Sequence, residues 1–119
     1  MSQVPPTVPP VSGSVFMMLA RDKPGSEGPR GTYLADHLRY VEANFGAYLA
    51  CGPIHNESGD TVGSFFLVTA EDADGAAQLL AGDPYAQCGE VYESVECNPA
   101  TVAAGTWMGG VIWDQSIFS

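Results

Sequence analysis

The chain has 119 residues, which suffice for one folded domain but are too few to enclose a large substrate without a second subunit. Four basic residues stand against 14 acidic ones, giving a formal net charge of −10 at pH 7. Nucleic acids and anionic membranes bind clustered Lys and Arg, so this balance argues against both as partners.

The first 13 residues contain four prolines and predict an extended arm that is flexible alone but can lie along a partner subunit. Residues 14–20 (SVFMMLA) form a continuous apolar run, which indicates a buried strand. Turn-forming residues follow at positions 21–25. We therefore expect the folded domain to begin near residue 14.

Between Arg30 and about Phe45 the apolar period becomes that of a helix. One apolar stripe is predicted from Leu34, Leu38, Val41 and Phe45. His37 borders this stripe, so we expect its side chain to face the edge of the sheet and not open water.

The remaining elements are predicted from apolar alternation, turn residues and helical period. They are strands at 47–51, 62–69 and 91–97, a helix at 71–80, and a helical turn at Asp83-Pro84-Tyr85. The order βαββαβ defines an α+β, ferredoxin-like fold, a four-stranded antiparallel sheet with two helices on one face. Because the other face is also apolar, we expect two subunits to dimerise as an α/β barrel.

Residues 98–119 form a C-terminal extension beyond the domain of residues 14–97. Its two tryptophans and branched apolar side chains would each cost roughly 1.5–3 kcal/mol if left in water. We therefore expect this extension to pack on the domain or on the dimer partner. The pair Gly109-Gly110 predicts a tight turn between Trp107 and Trp113.

The three cysteines, Cys51, Cys88 and Cys97, form no CxxC pair and are odd in number. This pattern favours reduced thiols in a cytoplasmic protein. His37 and His55 are isolated from each other and from the cysteines, so we expect no metal site. No apolar run reaches about 18 residues and no signal-peptide pattern is present, so neither a membrane span nor export is expected.

His37 and Asp83 are the strongest candidates for acid/base chemistry. Histidine is the side chain that changes charge nearest neutral pH, and a carboxylate on its far ring nitrogen would orient it. A helix histidine satisfied by a local hydrogen bond is the alternative for His37. An Asp-Pro helix start is the alternative for Asp83, and the two roles of its carboxylate are compatible.

Four further residues are candidates for substrate binding. Arg21 and Arg30 are expected near His37, where they would hold an anionic substrate or an enolate oxygen. Surface arginines that neutralise nearby acidic residues are the alternative. Ser64 and Tyr85 would line the same pocket as hydrogen-bond donors, unless they are a sheet hydroxyl and a packing aromatic.

Several short motifs follow one another along the chain in a specific order and spacing. They are Ala20-Arg21-Asp22-Lys23-Pro24, Arg30 with His37-Leu38 and Tyr40, Gly52-Pro53, Gly63-Ser64, and Asp83-Pro84-Tyr85 with Gly89. Together they resemble the YciI-like family over about residues 15–97. The resemblance implies a ferredoxin-like subunit of a dimeric α/β barrel with a His–Asp dyad, here on His37 and Asp83. It also implies, for some members, cofactor-independent action on hydroxylated or chlorinated ring compounds. Relative to the family, Glu90 is an extra residue that predicts a bulge before the last strand.

Three functional hypotheses follow. The leading one is a cofactor-independent acid/base enzyme of the lyase or isomerase type, in which His37 takes a proton next to a carbonyl or phenol of a small molecule. The second is a non-catalytic, dimeric binding or accessory module. The third is a monooxygenase-like or haem-binding α/β-barrel protein.

Overall fold

The computed structural model describes residues 4–118, which divide into two compact units, residues 13–100 and residues 4–12 with 101–118. The larger unit contains β1 (Ser14–Asp22), α1 (Glu27–Ala43), β2 (Tyr48–His55), β3 (Thr61–Ala70), α2 (Ala73–Ala81), α3 (Pro84–Gln87) and β4 (Tyr92–Ala100). The predicted α+β fold and its βαββαβ order are confirmed, with α3 as a short addition before the last strand.

The four strands form an antiparallel sheet in the order β2-β3-β1-β4. In the register of β1 and β3, Ala20 pairs with Ser64. A Cβ at the neighbouring Gly63 would collide with the carbonyl oxygen of Ala20, so the close approach of these strands requires glycine. This tight pairing fixes the position of Ser64 on the sheet.

The hydrophobic core lies between the sheet and α2. Its buried members are Phe16, Met18, Ala20, Phe66, Val68, Ala76 and Leu80. Side chains alternate along a strand, so the even-numbered residues of β1 point towards the helices. Asp72 accepts a hydrogen bond from the backbone N–H of Gly75 and caps α2, which therefore begins two residues after the predicted start at residue 71.

The apolar stripe predicted for α1 does not enter the core. None of the side chains of α1 is buried, and Leu34 and Leu38 are 47% and 50% exposed. Phe45 lies beyond the helix, in the 3-10 turn Phe45–Ala47, and is 73% exposed. The helical period was therefore predicted correctly up to Val41, and the stripe lies outside the buried core.

Strand β4 contains a bulge close to its start. Its register with β1 shifts by one residue between Ser94 and Tyr92, which is the partner of Asp22. The irregularity thus falls at Glu93 and not at Glu90, where the bulge was expected. A bulge shifts the alternation of side chains between the two faces by one residue. Tyr92, on the N-terminal side of the bulge, therefore lies on the helix-covered face together with its partner Asp22.

The smaller unit contains a hairpin in the C-terminal extension. Its strands are β5 (Ala104–Gly105) and β6 (Gly110–Val111), joined by a turn at residues 106–109. Gly109 closes this turn with φ +88°, a backbone conformation that favours glycine. A turn at the glycine pair is therefore present, but it includes Trp107 itself, and Gly110 already belongs to β6.

The N-terminal arm pairs with this hairpin. Thr7 forms a parallel bridge with Val111, and the N–H of Val8 donates to the carbonyl oxygen of Val111 at 2.7 Å. Residues 1–3 of the predicted arm and Ser119 of the predicted extension lie outside the described residues. Docking of the extension on the domain or on a partner stays a prediction. No helix within residues 4–118 is long and apolar enough to cross a membrane.

Candidate active site

A cavity of about 270 Å³ opens between α1 and the helix-covered face of the sheet. Its apolar wall is formed by Leu34, Leu38, Val41, Cys51, Pro53 and Phe66. Its polar wall is formed by Arg30, His37, Ser64 and Tyr85. The exposed stripe of α1 is therefore the apolar wall of a cavity that carries a cationic and a titratable group on its other side.

His37 and Asp83 form a hydrogen bond beside this cavity. The Nδ1 atom of His37 lies 2.8 Å from each carboxylate oxygen of Asp83. The Asp83 side chain is fully buried, where an unpaired carboxylate would be costly, so Nδ1 carries the hydrogen that it donates. Nε2, which makes no hydrogen bond to the described part of the chain, is then the ring nitrogen able to accept a proton.

Asp83 also starts the short helix α3. Its Oδ1 accepts a hydrogen bond from the backbone N–H of Tyr85 at 2.9 Å, and Pro84 opens the helix. The same carboxylate therefore caps a helix and pairs with His37, so the predicted helix start is present and its role in acid/base chemistry stays a prediction. The Tyr85 ring stacks on the imidazole with centroids 4.1 Å apart and planes 10° from parallel, which holds the imidazole in one orientation.

Arg30 is held by a buried acid. Its Nε and Nη2 donate to the carboxylate of Asp22 at 2.6 and 2.7 Å, and Nη2 also donates to Ser64 Oγ at 2.9 Å. Burial lowers the pKa of Arg30, but the hydrogen bond and the charge of Asp22 outweigh it and hold the pKa above its ordinary value. The two N–H groups of Nη1 make no hydrogen bond within residues 4–118 and remain available to a ligand.

Tyr85 contributes its ring and not its hydroxyl to the cavity. The hydroxyl donates to the backbone carbonyl of Arg30 at 3.0 Å and so ties α3 to α1. Burial raises the pKa of Tyr85, which keeps this hydroxyl protonated. The expected role of Tyr85 as a pocket hydrogen-bond donor is thus replaced by stacking on His37.

Tyr92 is part of this network, although the sequence carried no signal for it. Its hydroxyl donates to Ser64 Oγ at 3.0 Å. Burial raises the pKa of Tyr92 well above its ordinary value, so the hydroxyl stays protonated at neutral pH. Only the bulge at Glu93 turns Tyr92 to this face, and a bulge is not readable from strand alternation.

Arg21 is not brought to the cavity. It follows the buried Ala20 in β1, so alternation places it on the face of the sheet away from the helices, and it is exposed. The structure brings together the other five candidates, His37, Asp83, Arg30, Ser64 and Tyr85. Among residues 4–118, no cluster of three or more His, Cys, Asp or Glu side chains is arranged to hold a metal ion.

This fold and cavity define a class of small α+β proteins with a ferredoxin-like sheet and a site beneath the first helix. Residues 14–110, more than half of the chain, match the family model described as YCII-related domain. The chain therefore belongs to the YCII-related family, and the resemblance to the YciI-like family is confirmed.

The chain is also similar to solved structures, among them the following two. One is 5-chloro-2-hydroxyhydroquinone dehydrochlorinase (TftG) from Burkholderia phenoliruptrix AC1100 in complex with 2,5-dihydroxybenzoquinone, with a TM-score of 0.65, 24% identity, and coverage of 78% of this chain and 97% of that one. The other is the NE2512 protein of unknown function from Nitrosomonas europaea, with a TM-score of 0.48, 20% identity, and coverage of 77% of this chain and 90% of that one. At these identities the likeness to TftG shows the fold alone. No curated protein matches this chain in sequence.

Proposed function

We propose that this protein is an acid/base enzyme of the lyase or isomerase type, acting without a cofactor on a small ring compound with hydroxyl or carbonyl groups. The observation that carries the proposal is the His37–Asp83 hydrogen bond at the wall of a cavity, which leaves Nε2 of His37 able to take a proton. The dehydrochlorinase with the same fold supports the substrate class, because its ligand is a dihydroxybenzoquinone.

The first step is removal of a proton by Nε2 of His37, from a ring hydroxyl or from a carbon next to a carbonyl. Asp83 stabilises the imidazolium that results, and the electron pair left behind moves onto a ring oxygen as a phenolate or enolate. Arg30 lines the same cavity, so its charge and its Nη1 donors stabilise that oxygen.

Two outcomes complete the reaction. Return of the proton to a different atom of the ring gives an isomer. Departure of a neighbouring leaving group with its bonding electron pair gives an elimination product, and the proton stays on His37 until solvent removes it. Neither outcome changes the number of electrons in the system, so the step requires no oxidant or reductant.

The cavity suits a single ring. A volume of about 270 Å³ admits one substituted six-membered ring, and Leu34, Leu38 and Phe66 supply apolar surface for its faces. Arg30 supplies the two N–H donors of Nη1, while its charge is paired with Asp22. The site therefore fits a flat apolar molecule with one acidic edge.

The proposal is tested with His37→Gln, assayed on halogenated hydroquinones, hydroxyquinones and small cyclic ketones. We expect turnover to fall by about 100-fold or more, because glutamine cannot take the proton. His55→Gln is the matched control, since His55 is exposed at the end of β2 and, within residues 4–118, its side chain hydrogen-bonds only to the hydroxyl of Thr61, at 3.3 Å. Full turnover by a folded His37→Gln variant would overturn the proposed function.

A second candidate, a binding or accessory module, is favoured by exposed apolar side chains in the C-terminal extension. Trp107, Ile117 and Phe118 are 58%, 70% and 75% exposed. Limited proteolysis separates the two functions, because a tail that recruits a partner would be cut in the purified protein and a docked tail would resist cleavage.

A further inference from the structure

Ser64 Oγ receives two hydrogen bonds from groups behind it. The donors are Nη2 of Arg30 at 2.9 Å and the hydroxyl of Tyr92 at 3.0 Å. Arginine can only donate, and a phenol is a stronger acid than an alcohol, so Tyr92 donates and Ser64 accepts. A serine hydroxyl has two lone pairs and one hydrogen, so its own O–H is all that Ser64 has left to offer.

The cavity is the space into which Ser64 can offer its remaining hydrogen. Ser64 lines the cavity wall together with Arg30 and His37, and its side chain is otherwise buried. Within residues 4–118 no protein atom accepts a hydrogen bond from Ser64. The two bonds that Ser64 receives polarise its hydroxyl, which strengthens it as a donor.

Tyr92 does not line the cavity, and its hydroxyl is linked to the cavity through Ser64. Its ring meets Tyr85 edge-on, with centroids 6.2 Å apart and planes at 86°, and the guanidinium carbon of Arg30 lies 5.8 Å from its centroid. These contacts hold the Tyr92 hydroxyl against Ser64. The bulge at Glu93 is what turns the ring to this position.

We propose that Tyr92 is a positioning residue that fixes Ser64 as a hydrogen-bond donor, so that the site selects ring compounds with an anionic oxygen. This inference rests on the proposed function and specifies its substrate class as hydroxyquinones, phenolates or enols that are ionised when bound. A neutral hydroxyl group that must donate its own hydrogen finds no free lone pair on Ser64, because Arg30 and Tyr92 already donate to both. A neutral ether oxygen accepts only weakly, whereas an anionic oxygen gains a charge-assisted hydrogen bond.

The test measures binding, so it does not depend on turnover. Wild type and Tyr92→Phe are titrated by calorimetry near neutral pH with 2,5-dihydroxybenzoquinone, which is ionised there, and with its dimethyl ether, which cannot ionise. We expect Tyr92→Phe to weaken binding of the anion by about tenfold and of the ether by less than about twofold. Tyr40→Phe is the matched control and should change neither, because the Tyr40 hydroxyl donates to the carbonyl of Leu79.

A double-mutant cycle distinguishes positioning from simple packing. Ser64→Ala should weaken binding of the anion by a similar factor. Adding Tyr92→Phe to this variant should not weaken binding further, because the Tyr92 hydroxyl acts through Ser64. Ser64→Ala also carries the test on its own if Tyr92→Phe does not fold. The inference would be overturned if Tyr92→Phe weakened binding of both ligands equally, or did not weaken binding of the anion. It would also be overturned if the wild type bound the anion no better than the ether, or bound neither.

The two proposals fail in different experiments. A fully active His37→Gln variant removes the proposed reaction and leaves the anion preference in place. Loss of the preference for the anion, with His37 still essential for turnover, removes the role of Tyr92 alone.

Discussion

Nδ1 of His37 lies 2.8 Å from both carboxylate oxygens of Asp83, although 46 positions separate the two residues in the chain. One buried acid therefore starts α3 and places the imidazole hydrogen on Nδ1. Any proton taken from a substrate must then go to Nε2.

Under the proposed function, Asp83→Asn should abolish turnover without unfolding the protein. The amide keeps the volume and one acceptor for the helix cap, but it presents an N–H to Nδ1 and drives the imidazole hydrogen onto Nε2. We expect turnover to fall by about 100-fold or more. Nitrogen NMR of the imidazole should show the reversed tautomer, and an unchanged tautomer would contradict the role assigned to Asp83.

Arg30→Met should destabilise the fold strongly. It leaves the Asp22 side chain, which is only 4% exposed, with the Ser26 hydroxyl as its remaining partner. We expect the free energy of unfolding in urea to fall by about 3 kcal/mol. Arg39→Met is the control, because the pair of Arg39 with Asp36 is 75% and 62% exposed and its loss should not be measurable. Equal effects of the two substitutions would refute this account.

Tyr48→Phe should leave stability unchanged or raise it. The Tyr48 hydroxyl is buried and finds no hydrogen-bond partner within residues 4–118, so its removal relieves a desolvated polar group. Tyr40→Phe is the matched comparison, because it deletes a 2.6 Å hydrogen bond to the carbonyl of Leu79 and should cost about 1 kcal/mol. Thermal and urea unfolding measure the stability of both variants. A larger loss of stability in Tyr48→Phe than in Tyr40→Phe would contradict this reasoning.

Alkaline pH should weaken the fold through buried tyrosines. Burial raises the pKa of Tyr48 and of Tyr92, whereas an unfolded tyrosine loses its proton near pH 10. Above about pH 10 the unfolded chain therefore binds fewer protons than the folded one, so the free energy of unfolding falls as pH rises. Tyr48→Phe should reduce this fall, which urea midpoints between about pH 8 and pH 11 would measure. An identical pH slope in the variant would count against the assignment.

We expect the chain to form a homodimer in solution. Alternation places Met17, Leu19, Phe65 and Leu67 on the face of the sheet away from the helices, a pattern typical of a buried interface. Sedimentation should give twice the mass of the chain, and Leu67→Glu should shift it towards the monomer. Ala35→Glu, at an exposed site in α1, should leave the mass unchanged. A monomeric wild type would disprove the expectation.

The sequence by itself determined the elements and their order. The apolar run of residues 14–20, the helical spacing around His37 and the Asp83-Pro84 helix start each depend on near neighbours in the chain, and each is found in the structure. The matched family motifs determined which two residues to pair. Local propensity and apolar period are sufficient for these inferences, because they are set within a few residues.

Only the tertiary structure decided which polar side chains meet. Arg30 lines the cavity and Arg21 does not, because one position along a strand reverses the direction of a side chain. Tyr92 joins Ser64 because a bulge shifts the register of β4, and the apolar stripe of α1 borders a cavity instead of the core. Register and helix placement depend on contacts between distant parts of the chain, and these contacts leave no periodic signal in the sequence.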